Sequence, residues 1–426
     1  MKRLRAMMAV LAAVAIAASC SSATPEIDSA PDDDMKARYV EAAGNCLEWI
    51  EKQMLTFDGG AWGVYERIRI SKNERVSLCR PDTASEYLLA VHLYRKATGK
   101  EVYAREFDNV LGWLEKARNG SESDEKGGFP FAYIGGKKQY SGSDITLYQN
   151  DNGKIISNLI EIYRDTRDER LLGLACVSGE FWLSSQRDDG SFIDGERVNG
   201  DAHSPFSVLW MMRAMYDLYD VTGDERYFAA AEKAFALAQT FIENGRVKTA
   251  YELERCENWR PVSSENYIAL LAFCASGLVS GDERLKKAGD RVSDFCLSLI
   301  DKNTGGVLNC TPETRDASES NNPYILDLVY TEGFALNGLY YAYRALENKT
   351  FLIKAKKLGD FLCSIQIKNT SPLIDGAWRG MYDLKTGAYG GSIHESSSAE
   401  EGGSDSVYAG WCSLVNAAGL LRLATL

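Results

Sequence analysis

Histidine is the scarcest chemistry-bearing residue of this chain, with 3 in 426 residues. Proline is also sparse, at 9, and the 10 cysteines form no CxxC pair and no Cys/His cluster. Zinc sites built on such closely spaced ligands are thereby excluded, and neither a metal nor a cofactor is expected. A surplus of positive charge is missing too. Asp+Glu number 60 against Lys+Arg 48, for a formal net charge of −12, so nothing draws the chain to a phosphate backbone and nucleic acid is not expected as a partner. No Ser/His/Asp spacing is present, and glycine pairs such as Gly59-Gly60 follow helical segments, which makes them turns and not phosphate-binding loops. Beyond the N-terminal leader, no apolar stretch approaches about 18 residues without a charge.

What is present is an ordinary globular composition, 45% hydrophobic and 25% charged. Lys2, Arg3 and Arg5 precede an unbroken apolar run from Met7 to Ala18, too short to span a bilayer, which reads as an export signal. It ends in Ala17-Ala18-Ser19-Cys20, which resembles the lipobox of bacterial lipoproteins. That resemblance implies a signal peptide over 1–20, lipidation of Cys20, and a protein anchored in the bacterial cell envelope. Residues 21–34, rich in Ser and Asp, read as a flexible tether, and 35–426 as the folded domain. Cys46, Cys176, Cys296 and Cys363 fall among apolar neighbours in predicted helices, as small buried hydrophobes. Cys79, Cys256 and Cys310 fall in predicted loops, where pairing is open.

Internal repetition sets the architecture. One short junction recurs: Thr98-Gly-Lys-Glu-Val-Tyr103, Thr166-Arg-Asp-Glu-Arg-Leu171, Thr222-Gly-Asp-Glu-Arg-Tyr227, Ser280-Gly-Asp-Glu-Arg-Leu285 and a degenerate Glu347-Asn-Lys-Thr-Phe-Leu352. Each follows an apolar helical run and precedes an amphipathic one, with a helix-stopping residue and then acids suited to the next N-terminus. A second signal alternates with it: Asp58-Gly-Gly-Ala-Trp62, Gly127-Gly-Phe129, Asp189-Gly-Ser-Phe192, Asn244-Gly-Arg-Val247, Gly305-Gly-Val307 and Asp375-Gly-Ala-Trp378. Each of these opens a long polar connection. Amphipathic helices are predicted over Met35–Leu55, Val102–Ala117, Arg170–Gln186, Arg226–Glu243, Glu283–Ile300 and Phe351–Gln366. More apolar ones begin near Thr83, Asn152, Ser204, Glu265, Thr331 and Ser406. The fold class is all-α: a single (α/α)6 toroid of six hairpins, apolar helices inside and amphipathic ones outside, with short strands in the long loops of one rim.

These glycine-aromatic tails and TGDER-like turns resemble the six-hairpin glycosidase superfamily and the toroidal polysaccharide lyases. Asp151-Asn152-Gly153 through Asp168-Glu169-Arg170 is similar to a stretch of the helical pectate lyases. The unsaturated glucuronyl and rhamnogalacturonyl hydrolases have a comparable size, but their Trp–Arg-Gly–Trp segment has no counterpart where Ser263-Ser264-Glu265-Asn266 opens the fourth inner helix. The resemblance implies an enzyme acting on oligosaccharides or polysaccharides.

All the long loops lead into the N-termini of the inner helices, so residues there are expected to ring the mouth of the barrel. Glycosidic cleavage needs an acid to protonate the leaving oxygen and a carboxylate to activate water or attack the sugar. Asp151, Glu332 and Glu265 are the acids expected to provide such a pair, with His203 as a base or sugar-hydroxyl ligand. Asn152, Asp201, Trp62, Tyr330, Trp378 and Arg379 are expected to bind substrate. Glu86 and Asp405 also stand at helix starts. Thr83-Ala-Ser-Glu86 fits a capping box, which gives Glu86 a structural role, and His92 falls mid-helix among apolar residues. Arg67, Arg69, Arg75, Arg80 and Arg255 lie on the loop side, where a guanidinium fork suits carboxylates or sulfates. Hydrolysis by paired acids is the leading expectation. A uronate lyase is the alternative, followed by a sugar epimerase, against which the scarcity of histidine counts. A non-catalytic glycan-binding lipoprotein is the reading from outside enzymology. Isoprenoid cyclisation, also performed by α/α toroids, lacks its Asp-rich motif here.

Overall fold

A computed structural model describes residues 31–57, 62–118, 127–134, 137–138, 140–141, 144–145, 147–192, 204–250, 252–253, 261–315, 324–391 and 403–426, with side chains of 137–145 left aside. Expectations on residues 1–30 and on the other gaps lie outside the described residues. Pro31–Leu426 forms one compact unit.

Twelve long helices are described: α1 (Asp33–Trp49), α2 (Pro81–Thr98), α3 (Ala104–Ala117), α4 (Gln149–Thr166), α5 (Glu169–Ser185), α6 (Pro205–Thr222), α7 (Glu225–Thr240), α8 (Val262–Ser280), α9 (Glu283–Ser298), α10 (Gly333–Leu346), α11 (Lys349–Ile365) and α12 (Leu414–Ala424). The even-numbered helices pack on one another in sequence, and α12 returns to α2, so they close an inner ring. Each odd-numbered helix from α3 to α11 packs outside the inner helix that precedes it in the chain. The sixth hairpin is made from the chain's two ends, because α1 packs against α12. Inner helices are buried on most faces, as their composition requires, while the outer ones bury a single stripe. The toroid anticipated from the repeats is the observed fold.

The TGDER junctions work as one device. Gly99, Gly223 and Gly281 stop α2, α6 and α8 in the left-handed conformation. Asp168, Asp224 and Asp282 then cap the following helix through the backbone N–H of Arg170, Arg226 and Arg284. Those arginines reach back to Asp108, Glu180 and Glu232 on the preceding outer helix, stitching neighbouring hairpins. The glycine-aromatic junctions close the opposite rim. At Gly376 (φ 96°) an added Cβ would lie 2.3 Å from the Asn45 carbonyl oxygen of α1, so only glycine lets the last long loop seal the ring against the first helix.

Two details differ from the sequence reading. The last inner helix begins at Leu414 and not near Ser406, because Ser406–Tyr408 pairs as an antiparallel strand with Arg67–Arg69. Residues 409–413 then form a widened turn. Glu86 is no capping-box acid: α2 starts at Pro81, a residue suited to the first helical position, which places Thr83 and Glu86 inside the helix. The eight described cysteines are all free thiols, Cys79 and Cys310 among them. Helix α8 is long and apolar enough to cross a membrane, but 89% of its most apolar stretch is buried inside the ring.

Candidate functional site

Where α2, α4 and the turn before α12 meet at the loop-bearing end of the ring, five charged side chains converge in the interior. Strand residues Leu78–Cys79 deliver Arg80 in an extended conformation, and Pro81 turns the chain into α2. Asp82 and Glu86, four residues apart, therefore share one helix face. Asp151 and Lys154, three apart on α4, face them. All five are at most 7% exposed.

The Lys154 ammonium donates to Asp82 over 3.1 Å and to Glu86 over 2.6 Å. It also sits 3.4 Å from the centre of the Trp411 ring. Arg80 acts as a fork. Its Nε lies 3.1 Å from Asp82, one Nη donates to Asp151 over 2.5 Å, and the other to Glu66 over 3.1 Å. Asn150 Nδ2 donates to the second Asp151 oxygen over 2.9 Å. Trp411 gives its indole N–H to Asp82 and its backbone N–H to Glu86 over 2.9 Å. The Trp411 backbone is left-handed (φ 60°), a conformation bulky residues rarely adopt. Gly410 makes this possible, since a Cβ there would lie 2.2 Å from Thr83 Oγ1 and 2.6 Å from Glu86. Phe206, Tyr330 and Phe334 enclose the Trp411 ring. Backbone strain held in place by so many contacts belongs to sites where a side chain must be aimed.

These surroundings drive the carboxyls apart. Burial pushes Asp151 up to about 7; Arg80 and Lys154 pull against it, and the nearby Asp82 charge adds to the rise. Burial also opposes the charge on Asp82, but Arg80, Lys154 and the Trp411 indole outweigh it and hold Asp82 below the usual carboxylate range. Glu86 is raised by burial, with Lys154 opposing and Asp82 reinforcing. One protonated and one ionised carboxyl, held by a shared guanidinium, can serve as proton donor and as base or electrostatic stabiliser.

Of the residues expected from sequence, Asp151 and Tyr330 belong to this cluster, the latter through its edge contact with Trp411 at 5.5 Å. Glu332 and Glu265 stand apart from it. The Val307 N–H donates to Glu332 over 2.9 Å, and the Ala250 N–H lies 3.1 Å from Glu265. Asn152 brackets Phe129 by accepting from its N–H and donating to its carbonyl, and Asn266 brackets Val247 in the same way. Glu332 occupies the corresponding slot of its hairpin, holding a loop strand to an inner helix. Burial raises its carboxyl well above the ordinary value, and Glu332 Oε2 has no hydrogen-bond partner among the described residues.

Trp62 and Trp378 are 3% and 0% exposed and offer no open ring face for a sugar. Trp378 donates its indole N–H to the Leu362 carbonyl, and Trp62 lies under Arg105. Arg379 is half-buried, donates to the Ser404 carbonyl and sits over Tyr389. Asp405 accepts from the Ser71 backbone. His203 and Asp201 lie outside the described residues. His92 is at the opposite end of the ring, 2.9 Å from Asp165.

Asp82, Glu86, Arg80, Lys154 and Trp411 were not singled out together from sequence. The available signal was a lysine near the start of an inner helix, three residues after Asp151, and two acids four apart at the start of the inner helix before it. Below the cluster, Glu86 and Lys154 line a cavity of about 30 Å³, room for roughly two waters, whose floor is Arg213, Tyr341 and Arg422. Glu161 accepts from Nε and one Nη of Arg422 there, and the other Nη donates to Asn337, closing the barrel axis. Among the described residues no group of His, Cys, Asp and Glu is arranged to hold a metal.

No family model matches the sequence, and no curated protein matches it. Solved structures with the same fold are found. A sugar epimerase from a ruminal bacterium is 14% identical, with a TM-score of 0.69 over 92% of this chain and 98% of that one. A family 76 α-mannanase from Bacteroides thetaiotaomicron is 13% identical, with a TM-score of 0.63 over 91% and 95%. An inactive variant of an α-1,6-mannanase from Salegentibacter, with two adjacent aspartates changed to asparagine and α-1,6-mannotriose bound, is 12% identical, with a TM-score of 0.58 over 91% and 98%. This chain has the (α/α)6 toroid fold of these carbohydrate-active enzymes.

Proposed function

We propose that this chain is a glycan-processing enzyme, a glycoside hydrolase in which Asp151 protonates the leaving glycosidic oxygen and Asp82 is the ionised partner. The observation that carries the reading is the opposite displacement of these two carboxyls, both bound to Arg80. An acid must hold its proton near the working pH, and its partner must stay charged to activate water or stabilise an oxocarbenium-like transition state. Lys154 and Trp411 fix Asp82 for that task. The mannotriose-bound neighbour supports an oligosaccharide as the substrate. Export and a lipid anchor at Cys20, tethered by 21–34, place the enzyme in a bacterial cell envelope in this reading.

A second reading, epimerisation beside a sugar carbonyl, would use the same pair for proton transfer at carbon. The depth of the cluster favours it, since Asp82, Glu86 and Asp151 are at most 4% exposed, which suits a single sugar ring. The test is a panel of neutral and uronate oligosaccharides, followed by reducing ends, absorbance of a C4–C5 double bond and incorporation of solvent deuterium. New reducing ends without absorbance support the hydrolase. Deuterium uptake without new ends means epimerisation, and rising absorbance means a lyase; either outcome overturns the leading reading.

A further inference from the structure

The acid pair leaves the arginines beside it unexplained. Arg67 and Arg69 stand two residues apart on the strand 67–69, so they leave the same face about 7 Å apart. Arg67 pairs with one oxygen of Glu66, and the other Glu66 oxygen takes Arg80 over 3.1 Å. Arg67 is therefore one carboxylate removed from the Arg80–Asp151 contact. The Nε–H groups of both Arg67 and Arg69 are buried and have no hydrogen-bond acceptor among the described residues. Both side chains keep part of their surface exposed, so a ligand oxyanion can reach two neighbouring guanidinium groups whose hydrogen-bonding capacity is not used up within the protein.

Local charge points the same way. Arg67, Arg80 and Lys154 pair with four carboxylates, Glu66, Asp82, Glu86 and Asp151, and the rise of Asp151 and Glu86 toward the protonated form tips the cluster toward positive charge. A guanidinium fork matches the planar carboxylate of a uronic acid and also accepts a sulfate ester.

We propose that Arg67 and Arg69 form a subsite for an anionic group on the sugar, a carboxylate or a sulfate. This rests on the reading of the Asp82–Asp151 cluster as a glycan site. The test is calorimetric binding to the full mature protein carrying Asp151→Asn, which keeps ligand from being consumed. The probes are oligouronates, sulfated oligosaccharides and neutral manno-oligosaccharides of equal length. The expected result is anionic ligand bound at least tenfold more tightly than neutral, with the preference shrinking as salt is raised. Arg69→Gln, at a residue without an ion pair among the described residues, should remove most of that preference, and Arg67→Gln the remainder.

Stronger binding by oligouronates identifies the carboxylate source, and stronger binding by sulfated sugars the ester. Equal affinity for neutral and charged ligands overturns the proposal, as does no binding by any anionic ligand. So does a loss on Arg69→Gln that is the same for both ligand classes in a variant whose melting is unchanged. Anion preference that survives in a protein with no hydrolytic activity would sink the hydrolase reading while leaving the subsite standing.

Discussion

Arg80 donates to Asp151 over 2.5 Å, yet Asp151 is pushed up to about 7. The contact alone would hold the carboxyl low. It does not because burial opposes the charged form, the same guanidinium also serves Asp82 and Glu66, and Asp151 lies beside a carboxylate that Lys154 and Trp411 keep charged. Arg80 thus couples two carboxyls in opposite states, and the first predictions concern that coupling.

Asp151→Asn is expected to lower kcat/KM by about 10²–10⁴-fold, the range for losing a general acid. The wild-type rate should fall as pH rises through about 7, where Asp151 gives up its proton. Rates measured from pH 5 to 9 check both; a variant with full activity would remove Asp151 from the mechanism.

Stability should show the matching sign. A carboxyl whose folded value is raised binds its proton more tightly in the native state, so folding weakens as pH climbs from the ordinary Asp range toward 7. Asp151→Asn removes that penalty. Urea denaturation at pH 5 and pH 8 should find the variant's advantage over wild type larger at pH 8.

Trp411→Phe keeps most of the ring but loses the indole N–H to Asp82. Asp82 should then hold its proton to higher pH, moving the acid limb of the rate profile upward, with kcat/KM reduced about tenfold, the scale of one charge-assisted hydrogen bond. An unmoved acid limb would show that the ring only packs.

Glu332→Gln should retain activity and near wild-type stability, because Gln offers the Val307 N–H the same acceptor. Glu332→Ala should cost about 1–3 kcal/mol by stranding that buried donor. A large loss of kcat on Glu332→Gln, with unchanged melting, would restore Glu332 to the chemistry.

At the far end of the barrel, Glu161 is partly buried, but Arg422 and Arg213 overcome that burial and hold its carboxyl below the usual range. Arg422→Met should cost about 1–3 kcal/mol at neutral pH, because Glu161 loses its main partner and keeps only the Tyr341 hydroxyl and the more distant Arg213. Its contribution is present above the ordinary Glu value and is lost as pH falls through the lowered one, so chemical denaturation should find the variant's deficit shrinking in acid.

The toroid was legible in the sequence because its causes are local. Thr222-Gly223-Asp224 stops one helix and caps the next with groups a few residues apart, and Gly376 is needed wherever a loop must touch the next helix backbone. Repetition made these short signals add up. The site was legible only in part, because its causes are distant along the chain. Asp151 announced itself as an acid at an inner helix start, but so did Glu332, and periodicity cannot tell a carboxyl that holds a loop strand from one that faces another carboxyl. What separates them is contact: Lys154 meets Asp82 and Glu86 across about 70 residues, and Trp411 meets them across more than 320. Ring closure brings those residues together, and the low dielectric of the closed ring then sets which carboxyl keeps its proton. The chain's local sequence determined the helices, their turns and which faces are apolar; only the tertiary structure decided which acids share a guanidinium.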